Sequence, residues 1–409
     1  SLNKYFEAMN AQGKGLEQHE ILKVQLMRGE KEQDYLTHIW NLTSMMDHPI
    51  IAKEEDQDEA CYRQFYEEAI SLCRQKRFHE VLEKCRYTSL DDEEEYSIDV
   101  IQPEKIEFKQ NSYEDGENSI ISFPEFLLLV LDVCTGGEQP ASHYQPDKLI
   151  EKFDALKTYF TAGEFYEKML YYRLLLDYYT IRRDIKDGQG NYSLILKGPK
   201  DDSDKLKQYQ SMLYVSTEAF YNWLKPYLRK LEQDELHSCA EMLAFLKKED
   251  NERHSILPAR KDLSYKASGN IRYWFWRLDY YLWEQRSTFF NEEEQKIVEH
   301  YVFRRNRSIE HLHPQDESHN EEWEEEAVHS FGNLAMISQS FNSQQSNDHI
   351  QIKFARIHEQ ISNKSLQSIK MFLMCKLADF NYLNWTMKLT KEHENEMIEF
   401  LERSFYISD

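Results

Sequence analysis

Residues 301–315 read "YVFRRNRSIEHLHPQ", and residues 321–338 read "EEWEEEAVHSFGNLAMIS". The first stretch is strand-like and stopped by a turn at Pro314; the second is an acidic lead-in to another strand. A third stretch, "FNSQQSNDHIQIKFARI" (341–357), carries the chain back into helices. Most of the remaining sequence has helical texture. These stretches therefore decide the fold class: a mainly α protein, a multi-helix scaffold with a small strand pair embedded in it beyond residue 300.

The 409 residues are 41% hydrophobic and 13% aromatic, enough to bury more than one core and to suggest two or three domains. Only 12 Gly and 9 Pro punctuate the chain, which agrees with long helices. The formal charge is −23, from 50 basic and 73 acidic residues. Such a charge repels nucleic acid and anionic membranes, so any DNA contact must rest on a local basic patch. The 6 cysteines show no C-x-x-C pair and no His at zinc-site spacing; they read as core thiols of a reducing cytoplasm. The longest apolar run, "FLLLVLDVC" (126–134), is broken by Asp132 and too short for a bilayer, so no membrane partner is expected.

A short helix is expected in "LEQHEILKVQLM" (16–27). Over 58–85, Tyr62, Phe65, Tyr66, Ala69 and Cys73 recur at helical spacing and form one apolar face. Residues 87–120 are acidic and turn-rich, a loop with a short strand at "KIEF" (105–108). Helices resume over 121–250, split by a short hairpin carrying "YSLIL" (192–196). Another helix spans 264–290, with Ile271, Phe275, Leu278 and Leu282 as its buried stripe and Arg272, Arg277 and Arg286 off it.

One set of residues has the chemistry for phosphodiester hydrolysis. Glu310 and Asn342 are oxygen ligands suited to a hard divalent cation. A neutral imidazole at His311 suits a general base that deprotonates water. An amide such as that of Asn333, bonded to the other ring nitrogen, would fix the tautomer. Spacing alone leaves a plain alternative open, in which these are polar residues of a turn. Adjacent side chains on a strand point to opposite faces, so Glu310 and His311 converge only if the strand ends or bulges there. His311 with His313 is a competing H-x-H metal pair, although no Cys or third His completes a zinc site.

The wording "SIEHLHPQ … HSFGNLAMISQSFNSQQSN" (308–347) resembles the signature of HNH, or ββα-metal, nucleases. It is most similar to the version at the C-terminus of GmrSD-type, modification-dependent (type IV) restriction endonucleases. "NIRYWFWRLDYYL" (270–282) resembles the helix that precedes that motif. "LNWTMKLTKEHENEMIEFLER" (383–403) resembles the family's closing segment, with Trp385 and Arg403 as its matching residues. The resemblance implies His311 as base, Asn333 as the residue positioning it, Glu310 and Asn342 as ligands of Mg2+ or Mn2+, and DNA as substrate. His313 stands where the family has an apolar residue and is a candidate modulator.

"LNKYFEAMNAQGKGLEQHEILKVQLM" (2–27) resembles the last conserved block of the family's N-terminal ParB-like, nucleotide-hydrolysing domain, with Ala11 and Gln12 in place of its Thr-Arg. On this reading residues 1–30 are the remnant of that domain and lack a complete nucleotide pocket. Residues 31–262 are then a helical central domain, and 263–409 the nuclease domain. Arg304, Arg305, Arg307, Lys353 and Arg356 are the expected contacts to the DNA backbone, unless they pair with the acidic run at 320–326. With so acidic a chain, recognition of modified or phage DNA is expected to need the missing N-terminal domain or a partner subunit. The competing class is a non-catalytic helical scaffold whose HNH-like module is degenerate.

Overall fold

In a computed structural model the described residues are 17–51, 58–86, 116–185, 192–201, 203–216, 219–304, 307–315, 323–338 and 350–406. They are mainly helical, with two small antiparallel sheets. Much of the ParB-like block, the "KIEF" strand, Arg305 and Asn342 lie outside them. The chain divides into two compact units: Ser1–Ser203 with Phe220–His237, and Asp204–Ala219 with Ser238–Asp409.

In the first unit the helices are α1 (Gln18–Met27), α2 (Gln33–Ser44), α3 (Glu59–Arg74), α4 (Phe78–Arg86), α5 (Phe123–Cys134), α6 (Leu149–Leu156) and α7 (Ala162–Tyr179). Helix α7 starts at a capping box, where Thr161 and Glu164 satisfy each other's backbone amides. It is buried on nearly every side, because α2, α3 and α5 pack around it. The stripe on α3 is buried at Tyr62, Tyr66, Ala69 and Cys73, with Phe65 half-buried. Strands β1 (Gly116–Asn118), β2 (Arg182–Ile185) and β3 (Tyr192–Ile195) form a sheet in that order, so the hairpin read from "YSLIL" gains a third strand. Asp177 of α7 takes Arg173, Arg182 and the Ile50 amide, which ties β2 to the core.

The chain then enters the second unit for α8 (Ser203–Val215), returns for α9 (Phe220–Glu232), and stays in the second unit from α10 (Cys239–Arg253) onward. Its central helix is α11 (Ile271–Glu284), buried from Tyr273 to Trp283. Arg277 is fully buried there, not off the core as its spacing suggested. A helix surrounded by neighbours has no wet face for it. Arg277 instead donates to Asp250 (3.1 Å), Asn251 (2.7 Å) and Ser404 (2.9 Å).

Strands β4 (Arg307–His311) and β5 (Leu334–Ser338) pair antiparallel, with His311 opposite Leu334 and Glu310 opposite Ala335. Helices α12 (Ile350–Ser362), α13 (Ile369–Leu377) and α14 (Met387–Arg403) follow. Strand β5 packs on α11 and α13, while the turn Phe331–Asn333 packs on α14. Gly332 permits that approach, because a Cβ there would overlap the Thr390 carbonyl and the Glu394 side chain. All 6 cysteines are free thiols. Cys61 is exposed, contrary to the expectation of core burial, because it faces away from the apolar side of α3. Among the described residues no helix is long and apolar enough to cross a membrane.

Candidate active site

Strand β4 ends at His311, and both Glu310 and His311 are buried. Their side chains have separate partners. The Lys353 ammonium of α12 is ion-paired to Glu310 and also donates to the His311 carbonyl at 2.6 Å. Lys353 is 3% exposed, which corrects its expected place on DNA phosphates: its charge serves a buried carboxylate.

The His311 ring is bonded at both nitrogens. Gln315 Nε2 donates to Nδ1 at 3.0 Å, and Nε2 lies 3.1 Å from His329 Nδ1. With Nδ1 accepting, the ring proton sits on Nε2 and is donated to His329. Tyr265 meets the His311 ring edge-on at 4.6 Å and lies nearly parallel to His329 at 5.8 Å. Burial first, then the neighbouring His329 and Lys353, push the His311 pKa down to about 3. At neutral pH the ring is uncharged.

Asn333, 0% exposed, does not reach that ring. Its Oδ1 accepts from the His313 amide (2.8 Å) and the Trp385 indole (3.2 Å). Its Nδ2 donates to the carbonyls of His313 (2.9 Å) and Val328 (2.8 Å). The amide's full bonding capacity is thus used on the turn that carries the histidines and on the Trp385 indole. Behind it, Lys370 donates to the carbonyls of Phe331 (2.7 Å) and Leu334 (2.6 Å), on either side of Asn333. Burial pushes the Lys370 pKa down to about 7, against the pull of Asp279 and Glu394.

The His313 ring stacks flat on Trp323 at 3.8 Å. Arg304 is exposed and Arg356 half-buried, while Arg307 lies in β4. Of the acidic run, Glu324, Glu325 and Glu326 are exposed, and Glu325 pairs with Lys266. Arg403 is exposed over the Phe400 ring. Among the described residues, no group of three or more His, Cys, Asp or Glu side chains is arranged to hold a metal. Sequence reasoning passed over Tyr265, Gln315 and His329. Gln315 and His329 fall within the stretches quoted for the motif, but no spacing rule marks them as partners of one ring.

Residues 248–400 match the family model for GmrSD restriction endonucleases, C-terminal domain. No curated protein and no solved structure matched the chain.

Proposed function

We propose that this chain, whose residues 248–400 match the family model for the C-terminal domain of GmrSD restriction endonucleases, cuts DNA phosphodiester bonds with β4 and β5 as the strands of an HNH motif. The observation that carries this is the strand register: it sets the Glu310–His311 half of the motif beside its Gly332–Asn333–Leu334 half, with Asn333 clamped in the turn.

His311 is the base: it is neutral at the working pH, and its basicity, held down by burial, has to rise on substrate binding for it to take a proton from water. An anionic phosphate beside the ring would oppose the burial and the Lys353 charge that depress its basicity. Glu310 and Asn342 would hold Mg2+ or Mn2+. Glu310 is a buried carboxylate, and the Lys353 ammonium that neutralises it would have to give way to the ion. When bound, the ion neutralises charge developing on the phosphate oxygens. Asn333 sets the turn rather than the ring, and His313, stacked on Trp323, modulates it. Arg304, Arg305, Arg307 and Arg356 contact the DNA backbone. Target choice among modified or phage DNA comes from a further domain or a partner subunit. Such an enzyme works in the cytoplasm.

The test is cleavage of supercoiled plasmid. Wild type is expected to require Mg2+ or Mn2+ and to stop in EDTA, and Glu310→Gln to lose at least about 100-fold. Cleavage undiminished by EDTA and by Glu310→Gln would reject the metal-dependent reading. One observation favours a second reading, a helical scaffold with a non-catalytic hairpin: both His311 nitrogens are taken by side chains. Complete inactivity of a folded wild type, with every divalent ion and DNA tried, would favour it.

A further inference from the structure

A general base needs a fixed ring direction and a fixed tautomer, and a hydrogen-bonded partner on the nitrogen away from substrate supplies both. Asn333 cannot be that partner, since its donors and acceptors are used on the turn and on Trp385. Among the described residues, the His311 ring meets Gln315, Tyr265 and His329.

We propose that His329 is the positioning residue of His311, holding the ring through the bond between His311 Nε2 and its own Nδ1. The assignment rests on the nuclease reading of this site and adds a residue to it.

His329 is well built for the task. Its backbone closes the short helix Glu325–Val328, its N–H donating to the Glu325 carbonyl at 3.1 Å. Its own carbonyl accepts from the Tyr265 amide (3.0 Å) and the Ser264 hydroxyl (3.1 Å). Its ring lies along that of Tyr265. Main chain and ring are therefore fixed before His311 is considered.

The proton count follows from the bonds. With Nε2–H donated to His329, the acceptor lone pair of His311 is at Nδ1, and Gln315 Nε2 sits 3.0 Å from it. In the reaction the amide of Gln315 yields that place to water. Nδ1 takes one proton from the water, the hydroxide oxygen bonds to phosphorus, and the bond from phosphorus to the leaving oxygen breaks, that oxygen taking its proton from solvent water. The Nε2 proton stays where it was, so the new imidazolium keeps a neutral acceptor in His329 and afterwards returns the Nδ1 proton to solvent.

The experiment measures single-turnover plasmid cleavage in Mn2+ with the full chain, at saturating and subsaturating DNA, beside thermal unfolding. His329→Ala is expected to lower the saturated rate about 10- to 100-fold with little change in half-saturating DNA. His329→Asn, whose amide falls near the place of Nδ1, is expected to recover most of that loss. His329→Gln, of similar bulk with its amide one bond farther out, is expected to behave like Ala and serves where Ala unfolds. An Ala or Gln variant as fast as wild type, or an Asn variant no better than either, overturns the assignment. If His311→Ala itself cuts at the wild-type rate, the nuclease reading of the site fails, and not this assignment alone.

Discussion

Asn333→Ala is expected to cost about 4 kcal/mol and to abolish DNA cleavage, although its side chain touches neither His311 nor Glu310. The substitution removes a buried amide that satisfies the His313 amide and carbonyl, the Val328 carbonyl and the Trp385 indole. Each buried group left without a partner costs about 1–3 kcal/mol, and part of that is recovered as the turn relaxes. Relaxation is itself damaging here, because the turn sets where β4 ends and where His311 points. Asn333→Asp is a sharper probe. It keeps the shape and both acceptor bonds, but sets a carboxylate oxygen against the carbonyls of His313 and Val328, and is expected to be nearly as harmful. Urea unfolding with cleavage assays on the same preparations reads both effects. An Asn333→Ala variant within about 1 kcal/mol of wild type would show that the turn is held by something else.

Asp250→Ala is expected to be about as destabilising, at about 3–5 kcal/mol. Asp250 is fully buried and accepts from Tyr209 (2.8 Å), Tyr273 (2.7 Å) and Arg277 (3.1 Å). Removing it leaves the Arg277 guanidinium buried without its counter-charge and two hydroxyls without an acceptor. For a unit of this size the loss corresponds to a fall of roughly 10 °C in melting temperature. Adding Arg277→Met should restore part of it, since the stranded charge goes with its partner. Calorimetry of the single and double variants measures both. A double variant no more stable than Asp250→Ala would mean that the charge pair is not what the core depends on.

Much of this architecture was legible in the sequence. Helical spacing gave α3 and α11, and the change of texture near residue 300 gave the strand pair that became β4 and β5. The failures share one physical cause: a hydrogen-bond partner is chosen by tertiary packing, which residue spacing does not encode. Arg277 was placed off the core because periodicity assumes one wet face, whereas α11 has neighbours all round. Lys353 was read as a DNA contact because a basic residue near a nuclease motif suggests phosphate, yet a buried Glu310 claims it. Asn333 was assigned to the ring of His311 and serves the backbone of His313 instead. His329, which does meet that ring, lies in a quoted motif but carries no distinguishing mark in one dimension. Asn342 and Arg305 lie outside the described residues.

Cleavage at this site depends on one imidazole moving one proton. The most direct measurement compares cleavage of supercoiled plasmid in Mn2+ by wild type and His311→Ala, on preparations with matching circular dichroism and melting temperature. A fall of about 10²–10⁴-fold with the fold intact is the expected result. Nicking by His311→Ala at the wild-type rate would contradict it.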